Sequence, residues 1–534
     1  MTSSPEFAPQ TRRQLLSRIG AVGGSAALYQ AMTALGHAAG RDFAGPPRLD
    51  GARPGTSVLV LGAGLAGMLA AYELRKAGYS VRILEYQDRA GGRNFSLHGG
   101  DRFTELGGAT QNIGFAPGNY FNPGPWRIPY HHQALLHYCR AFGVALEPFV
   151  QVNFNAYVHA TGAFGGQKQR YRTIAADYAG HTSELLAKAI DQHRLDLPVG
   201  DDEREHLLQA LKACGMLDGT FAYTKSIMTS QRRGFAKPQG GGPDGAPVPS
   251  DPLPRDALMR SGLWLALATN ASLDHQTTMF QPVGGMDQIG KGFARQVGDL
   301  ITMRCRVTAI HQDQHGVSVS YIDEAHGNAP RVAQADYCVC TIPLSVLSQL
   351  DVQVGGPMKA AIAAVPYLSS VKIGLEFNRR FWEEDEQIYG GISFTDLPIN
   401  QISYPSTGYF SRGKAVLLGG YMYEDAEAFR FAGLSPAERI EAALAQGAVI
   451  HPQYRKEFST GAAVAWSRVP WTLGCCALWS EQARKMHYRD LCAIDNRLVL
   501  AGEHASFFGC WQEGAILSSL DAVTRLHRRA IGAA

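Results

Sequence analysis

The stretch Ser57 to Glu85, SVLVLGAGLAGMLAAYELRKAGYSVRILE, restricts the fold more than any other part of the chain. Val58 to Leu61 is an unbroken apolar run of the kind that forms a parallel strand covered on both faces. Gly62-Ala63-Gly64-Leu65-Ala66-Gly67 follows as GxGxxG, and a helical stretch with Leu69, Ala70, Ala71 and Leu74 is halted by Gly78. A second strand over Val81 to Leu84 ends on Glu85. Each part suits the grip on a dinucleotide. Gly62 allows the tight turn, Gly64 lets the backbone approach a pyrophosphate, and Gly67 lets the helix pack close to the strand. The helix start offers unpaired N–H groups to phosphate, and an acid about 20 residues on accepts from the ribose hydroxyls. A lone glycine motif is weak evidence. Strand, helix and acid in agreement with it predict a nucleotide-binding α/β unit.

The chain of 534 residues is too long for one core, so two to four structural units are expected. A net charge of only +3, with no basic stripe, argues against a nucleic-acid partner. The nine cysteines form no CxxC pair and no metal-ligand spacing with histidine, so structural thiols in a reducing compartment, and no metal, are expected. No stretch is long and apolar enough for a membrane span. Thr11-Arg12-Arg13-Gln14-Leu15-Leu16 precedes a small apolar segment ending near Ala38-Ala39. It reads either as a twin-arginine export signal or as an amphipathic helix docked on the domain, leaving cytoplasm and periplasm both open.

Further blocks follow in order. Asp88-Arg89-Ala90-Gly91-Gly92-Arg93 adds a glycine pair and an arginine beyond the second strand, and Thr104-Glu105-Leu106-Gly107-Gly108-Ala109 adds another pair beside an acid. In Gly124-Pro125-Trp126-Arg127-Ile128-Pro129-Tyr130-His131-His132 the prolines stiffen the backbone around Arg127. A fixed guanidinium fork suits a carboxylate ligand or a structural ion pair. Residues 150 to 275 read mostly as helix and loop, with Asp202-x-x-Glu205 as a capping box and Lys237 to Pro254 as a Pro/Gly-rich surface loop. Val307 to Ile310 and Val317 to Ile322 predict a hairpin, and Tyr337 to Thr341 a strand returning to the nucleotide sheet. From about 345 to 490 the pattern turns β-rich. Val371 to Phe377 alternates as a strand whose Lys372 is costly on an inner face unless paired or used. Ser435 caps a helix with Pro436 at N1 and Glu438 at N3. Trp466, Trp471 and Trp479 read as core, as does Trp264, the alternative for the last being a pocket wall. A final strand ends in Ala501-Gly502-Glu503, and Trp511 opens the last helix.

Taken together, GAGLAG, AGGR, ELGGA, GPWRIP, QPVGGMD, CTIP, FWEEDEQIYGG and LAGEHA resemble the flavin amine oxidase superfamily, and within it the L-amino-acid oxidases, from about residue 52 to 530. The resemblance implies an α/β fold: a Rossmann-like FAD-binding domain of the GR2 type with an inserted β-rich substrate domain and a helical domain. The expected parts are residues 1–50 as leader or N-terminal helix, 51–130 with 280–345 and 490–534 as the FAD-binding domain, 131–279 as a helical substrate-access domain, and 346–489 as the β-rich substrate-binding domain. FAD, bound noncovalently, would be held by Gly62, Gly64, Gly67, Glu85, Gly92, Arg93 and Gly108, with Val307 at the adenine and Glu503 near the ribitol. Arg127 would pair with the substrate α-carboxylate, helped by the Tyr404 hydroxyl. Lys372 would hold a water near the flavin, and Trp511 would wall it. Leu368 stands where venom members carry a second arginine, and Cys476 near the cysteine that carries covalent flavin in monoamine oxidases. The implied reaction is oxidative deamination of L-amino acids by dioxygen to 2-oxo acids, ammonia and hydrogen peroxide. An amino-acid monooxygenase, an oxidase of amines without a carboxylate, and a flavin-binding scaffold without activity are the alternatives, and a homodimer is the default assembly.

Overall fold

The computed structural model describes residues 43–197, 199–423 and 426–532. Arg12 and Arg13, and with them both readings of the N-terminus, lie outside the described residues. The chain divides into a short unit, Met1–Arg48, and a long one, Leu49–Ala534, to which everything below belongs.

The Ser57–Leu61 strand lies inside a six-stranded sheet, between Ser80–Leu84 and Tyr337–Cys340, and runs parallel to both. Ile301–Thr302 extends one side in parallel; Leu498–Leu500 extends the other in parallel, followed by antiparallel Ile494–Asp495. Val58 to Leu61 are at most 2% exposed. Cover on both faces is why this strand is continuously apolar instead of alternating. The Leu65–Lys76 helix leaves the strand through a turn in which Gly62 and Gly67 have no room for a side chain. A Cβ on Gly67 would lie 2.0 Å from the Gly62 carbonyl oxygen. Gly62 itself has φ +101°, which L side chains rarely adopt. The terminal Gln512–Ile531 helix packs on this first helix, and Ser519 Oγ donates to the Ala66 carbonyl at 2.7 Å. The two ends of the described chain therefore build one α/β unit.

The inserted β-rich unit is a seven-stranded sheet ordered Gln169–Arg170, Tyr157–His159, Ile392–Thr395, Gln401–Ser403, Ala415–Tyr423, Ser370–Phe377, Phe458–Ala465. Two of its strands come from the stretch expected to be helical, and Leu146–Phe149 joins a further sheet with Ile128–Pro129 and Met279–Pro282. The expected boundaries at 131 and 279 thus cut through a sheet. These strands are two to four residues long, too short for a period to declare itself. The rest of that stretch is helical, with Tyr171–Asp191 and Asp201–Gly215 packed together.

Local expectations divide. Ser435 and Glu438 form the reciprocal capping box, with Pro436 in the first turn. The Asp202 box does not form. The helix begins at Asp201 behind Gly200, with no side-chain cap, and Asp201, Asp202 and Glu203 instead face the positive end of the helix dipole. The hairpin forms as Cys305–Gln312 with Val317–Asp323, and Ala329–Ala335 extends it to a meander. The expectation of free thiols throughout is corrected: Cys476 and Cys510 form a disulfide. Their separation of 34 residues is closed by the fold, and no local spacing announces it.

Candidate active site

The strand ends, the first helix and the seven-stranded sheet enclose a cavity of about 420 Å³. Of the residues the resemblance assigns to the cofactor, Gly62, Gly64, Glu85, Gly92, Arg93, Val307 and Glu503 line it. Gly64 is extended (φ −73°, ψ 177°), and a Cβ on it would meet no protein atom within 4 Å. The room beside this backbone is therefore cavity, into which a larger residue would project. No side chain caps the Leu65–Lys76 helix, so its first-turn N–H groups are left to a ligand. A bridge between Gly64 and Gly91 lays the second glycine block against the first, and Gly91 N–H donates to Ala63 O at 2.8 Å. The buried Glu85 carboxylate accepts from Ala63 N–H at 2.5 Å and Gln87 N–H at 2.7 Å. Burial raises its pKa, and these bonds and the Arg89 charge oppose the rise. Arg93 Nη1 donates to Glu503 Oε1 and to the Cys475 carbonyl, both at 2.8 Å, joining the early glycine block to the last strand.

Two expected cofactor contacts are otherwise placed. Gly67 does not line the cavity, and its part is the close helix–strand crossing. Gly108 does not line it either, which corrects the sequence reading. Gly108 lies in the turn between the Arg102–Thr104 and Thr110–Asn112 strands, its N–H on the Glu105 carbonyl at 3.0 Å. The Glu105 carboxylate in the same block is buried and receives Arg439 Nη1 and Nη2 at 2.6 and 3.0 Å. An isolated buried carboxylate is costly, and the bidentate arginine answers it.

Arg127 and Lys372 bring two cationic side chains to the same cavity. Arg127 stands directly before the Ile128–Pro129 strand, whose pairing to Met279 and Phe280 fixes it. Its guanidinium lies over the Trp126 ring, 4.5 Å from the centroid. Nη1 donates to Gln151 Oε1 at 2.7 Å and Nη2 to His275 Nε2 at 2.8 Å. Among the described residues no carboxylate lies within ion-pair distance of it. Burial pushes its pKa down to about 10, partly offset by Tyr421, Tyr423 and Asp274, so it stays charged at neutral pH. Burial, and then Arg127, lowers His275, which remains a neutral acceptor.

Lys372 is 3% exposed on a strand buried at every position, with Tyr421 opposite it on one side and Val464 on the other. Its Nζ donates to the Gly124 carbonyl and sits 4.2 Å from the Trp126 centroid and 4.4 Å from that of Tyr421. Burial first, then repulsion from Arg127, drives it well below the ordinary lysine value. Trp511 lines the cavity at the start of the last helix, with Trp466 as a further wall whose Nε1 donates to Pro123 O at 2.7 Å.

Tyr404 is not with them. It is 1% exposed, and its hydroxyl is engaged with Ser393 Oγ at 2.7 Å and His451 Nε2 at 2.6 Å. It faces a second cavity of about 130 Å³, so the carboxylate contact given to it is withdrawn. Tyr86, Tyr421 and Tyr423 are the tyrosines that line the main cavity with Arg127, and the sequence reading missed Tyr421 and Tyr423 together with Gln151 and His275. No motif marked these four, because each reaches the cavity only through sheet pairing or loop placement. Trp264 stacks on Tyr178 and donates to Met259 O at 3.1 Å, outside the cavity. Cys476 lines the main cavity, but its sulfur is bonded to Cys510, so it is not a free anchor for a flavin.

The sequence pattern of a family described as flavin containing amine oxidoreductase matches residues 65–527. The chain is 28% identical, over 88% of its length and 94% of the other, to the Bacillus subtilis protein YobN, which bears a provisional L-amino-acid oxidase name. It is 26% identical to an L-amino-acid oxidase of Siganus canaliculatus, covering 89% of this chain and 86% of that one. The cobra enzyme of the same name, from Naja atra, is 25% identical over 88% of each. Among solved structures, cyclohexylamine oxidase from Brevibacterium oxydans superposes with a TM-score of 0.57 at 17% identity, over 89% of this chain and 99% of that one. A redesigned putrescine oxidase gives 0.55 at 18%, over 90% and 98%. At these identities the structures speak to the fold alone.

Proposed function

The chain belongs to the flavin-containing amine oxidoreductases, and from that premise we propose that it is an FAD-dependent oxidase of L-amino acids. The products are the 2-oxo acid, ammonia and hydrogen peroxide. The observation that carries the reading is Arg127: a charged guanidinium held inside the cavity by Trp126, Gln151 and His275, with no carboxylate of the described residues within ion-pair distance. An enzyme for simple amines has no use for a buried cation there, whereas an α-carboxylate supplies the missing charge. The names of the relatives agree with this reading.

The residues present fit FAD. The open room beside Gly64, the uncapped helix start and the Glu85 carboxylate suit a pyrophosphate and a ribose, and Val307 lines the same cavity. With the Cys476 sulfur taken by the disulfide, the binding is noncovalent in this proposal. Bound FAD supplies the two-electron acceptor that dioxygen regenerates. The chain's own part is to orient and to exclude water. Arg127 anchors the carboxylate, so the substrate presents its α-carbon in a fixed pose. Gln151 and His275 now occupy the two ends of the guanidinium fork and yield to the incoming oxygens. Lys372, held low by burial, keeps a proton mobile at Nζ for a water or for the substrate amine. Trp126, Trp466, Trp511 and Tyr421 wall the site.

Replacing Arg127 with Met tests the assignment. Charge-assisted bonds contribute about 1.5–3 kcal/mol, so kcat/KM for L-amino acids should fall by about 10-fold to 100-fold with the flavin absorbance kept. Turnover of the matching decarboxylated amine, if measurable, should be unchanged. An unchanged KM for amino acids would remove Arg127 from the carboxylate.

A further inference from the structure

His131 and His132 follow the Arg127 strand, and Asp274 sits in the Leu273–His275 turn, yet the three bring ligand atoms to within 4.8 Å of one another. His131 Nε2 and Asp274 Oδ1 are 3.0 Å apart. The two imidazoles pack edge to face, with centroids 4.8 Å apart and planes at 83°. His132 is 1% exposed, and its Nε2 is buried with no hydrogen-bond partner, as is His131 Nδ1. An unmatched buried polar atom costs about 1–3 kcal/mol. The His132 atom, buried beside the His131–Asp274 pair, calls for an occupant.

We propose that His131, His132 and Asp274 form a binding site for a divalent transition-metal ion of the zinc type, tying the turn that carries His275 to the segment that carries Arg127. Two neutral imidazoles and a carboxylate are the donor set such ions prefer, whereas magnesium and calcium require oxygen. His131 Nε2 and Asp274 Oδ1 are hydrogen-bonded at 3.0 Å and need part by only about 0.3–0.4 Å to span the edge of a tetrahedron with bonds of about 2.0–2.1 Å. His132, whose ligand atom lies within 4.8 Å of the other two, turns toward them to close the third corner, and a water takes the fourth. On binding, His131 changes tautomer: the proton it shares with Asp274 moves to Nδ1, and the ion takes its place at Nε2. Sequence spacing conceals the set, because Asp274 lies 143 positions from His131. The site is distinct from the main cavity but adjoins it: the His132 ring meets Trp511 edge to face at 5.1 Å, and His275, the residue after Asp274, receives Arg127 Nη2. An ion here would hold the turn against the cavity mouth. That last consequence rests on the reading of Arg127; the binding itself does not.

The test is a titration of untagged, chelator-treated, flavin-loaded protein with zinc alone, by calorimetry, repeated with cobalt as a visible reporter. One ion per chain should bind, with the ligand-field bands of four-coordinate cobalt. Asp274→Asn and His131→Gln, both at partly exposed positions and so tolerated by the fold, should each weaken binding at least about 10-fold. Flavin absorbance reports that each variant is folded. A silent titration of the wild type would mean that water fills the site and would overturn the proposal. Binding equal in wild type and both variants would place the ion elsewhere and overturn it as well.

Discussion

Lys372 pays a desolvation cost that its strand does not require, since an apolar residue there would bury just as well. Its folded pKa lies below the value of about 10.4 for a free lysine. Between those two values the unfolded chain binds the extra proton, so the lysine destabilises the fold below its folded pKa and that penalty fades as pH rises through the window. Lys372→Met should therefore be more stable than wild type near neutral pH, with the gain shrinking toward pH 10, and its turnover should drop. Denaturant midpoints from pH 7 to 10 check the first statement. A gain independent of pH would show that Lys372 is not the group responsible. Tyr404 provides the contrast. Tyr404→Phe removes a buried hydroxyl from Ser393 and His451 and should cost about 1–3 kcal/mol of stability. Its KM should stay near wild type, as thermal unfolding and steady-state kinetics on the same sample would reveal. A steep rise in KM would return Tyr404 to the substrate. The tyrosines were misassigned because Tyr404 sits one step beyond a short strand, whereas Tyr421 is placed by pairing with Lys372 across the sheet, and pairing is not written locally.

At the scale of elements, the first strand, glycine turn and helix were legible because each local preference agrees with the fold that results. The same element yields a clean test. Gly64 has a backbone that any residue adopts and no protein atom within reach of a Cβ. Gly64→Val should thus fold normally but lose bound flavin. The absorbance of the purified protein, read beside its circular dichroism, decides the matter, and full flavin content would contradict the cradle. The helix at Pro436 was equally readable, and Ser435→Ala should cost about 1 kcal/mol in a denaturant midpoint. What failed at this scale were short strands and the acidic start at Asp201. A two-residue strand has no period, and Asp at N1 to N3 serves the dipole as readily as Asp at the cap.

For the whole molecule, the arrangement depends on contacts between distant segments. Arg93 to Glu503, Arg439 to Glu105, Ser519 to Ala66 and the Cys476–Cys510 disulfide all join parts separated in the chain, and none has a local signature. This is why the nucleotide unit could be read from sequence while the composition of the substrate site could not. Arg127, Lys372 and Trp511 were found through the resemblance. Gln151, His275, Tyr421 and Tyr423 needed the fold. In the proposed function this cavity oxidises L-amino acids because Arg127 takes their carboxylate. The most direct measurement is to give the flavin-loaded protein the common L-amino acids and their decarboxylated amines in air, following peroxide together with product mass. Peroxide and 2-oxo acid are expected in equal amounts from L-amino acids, with little from the amines. Comparable turnover of the amines, or an amide formed without peroxide, would contradict it.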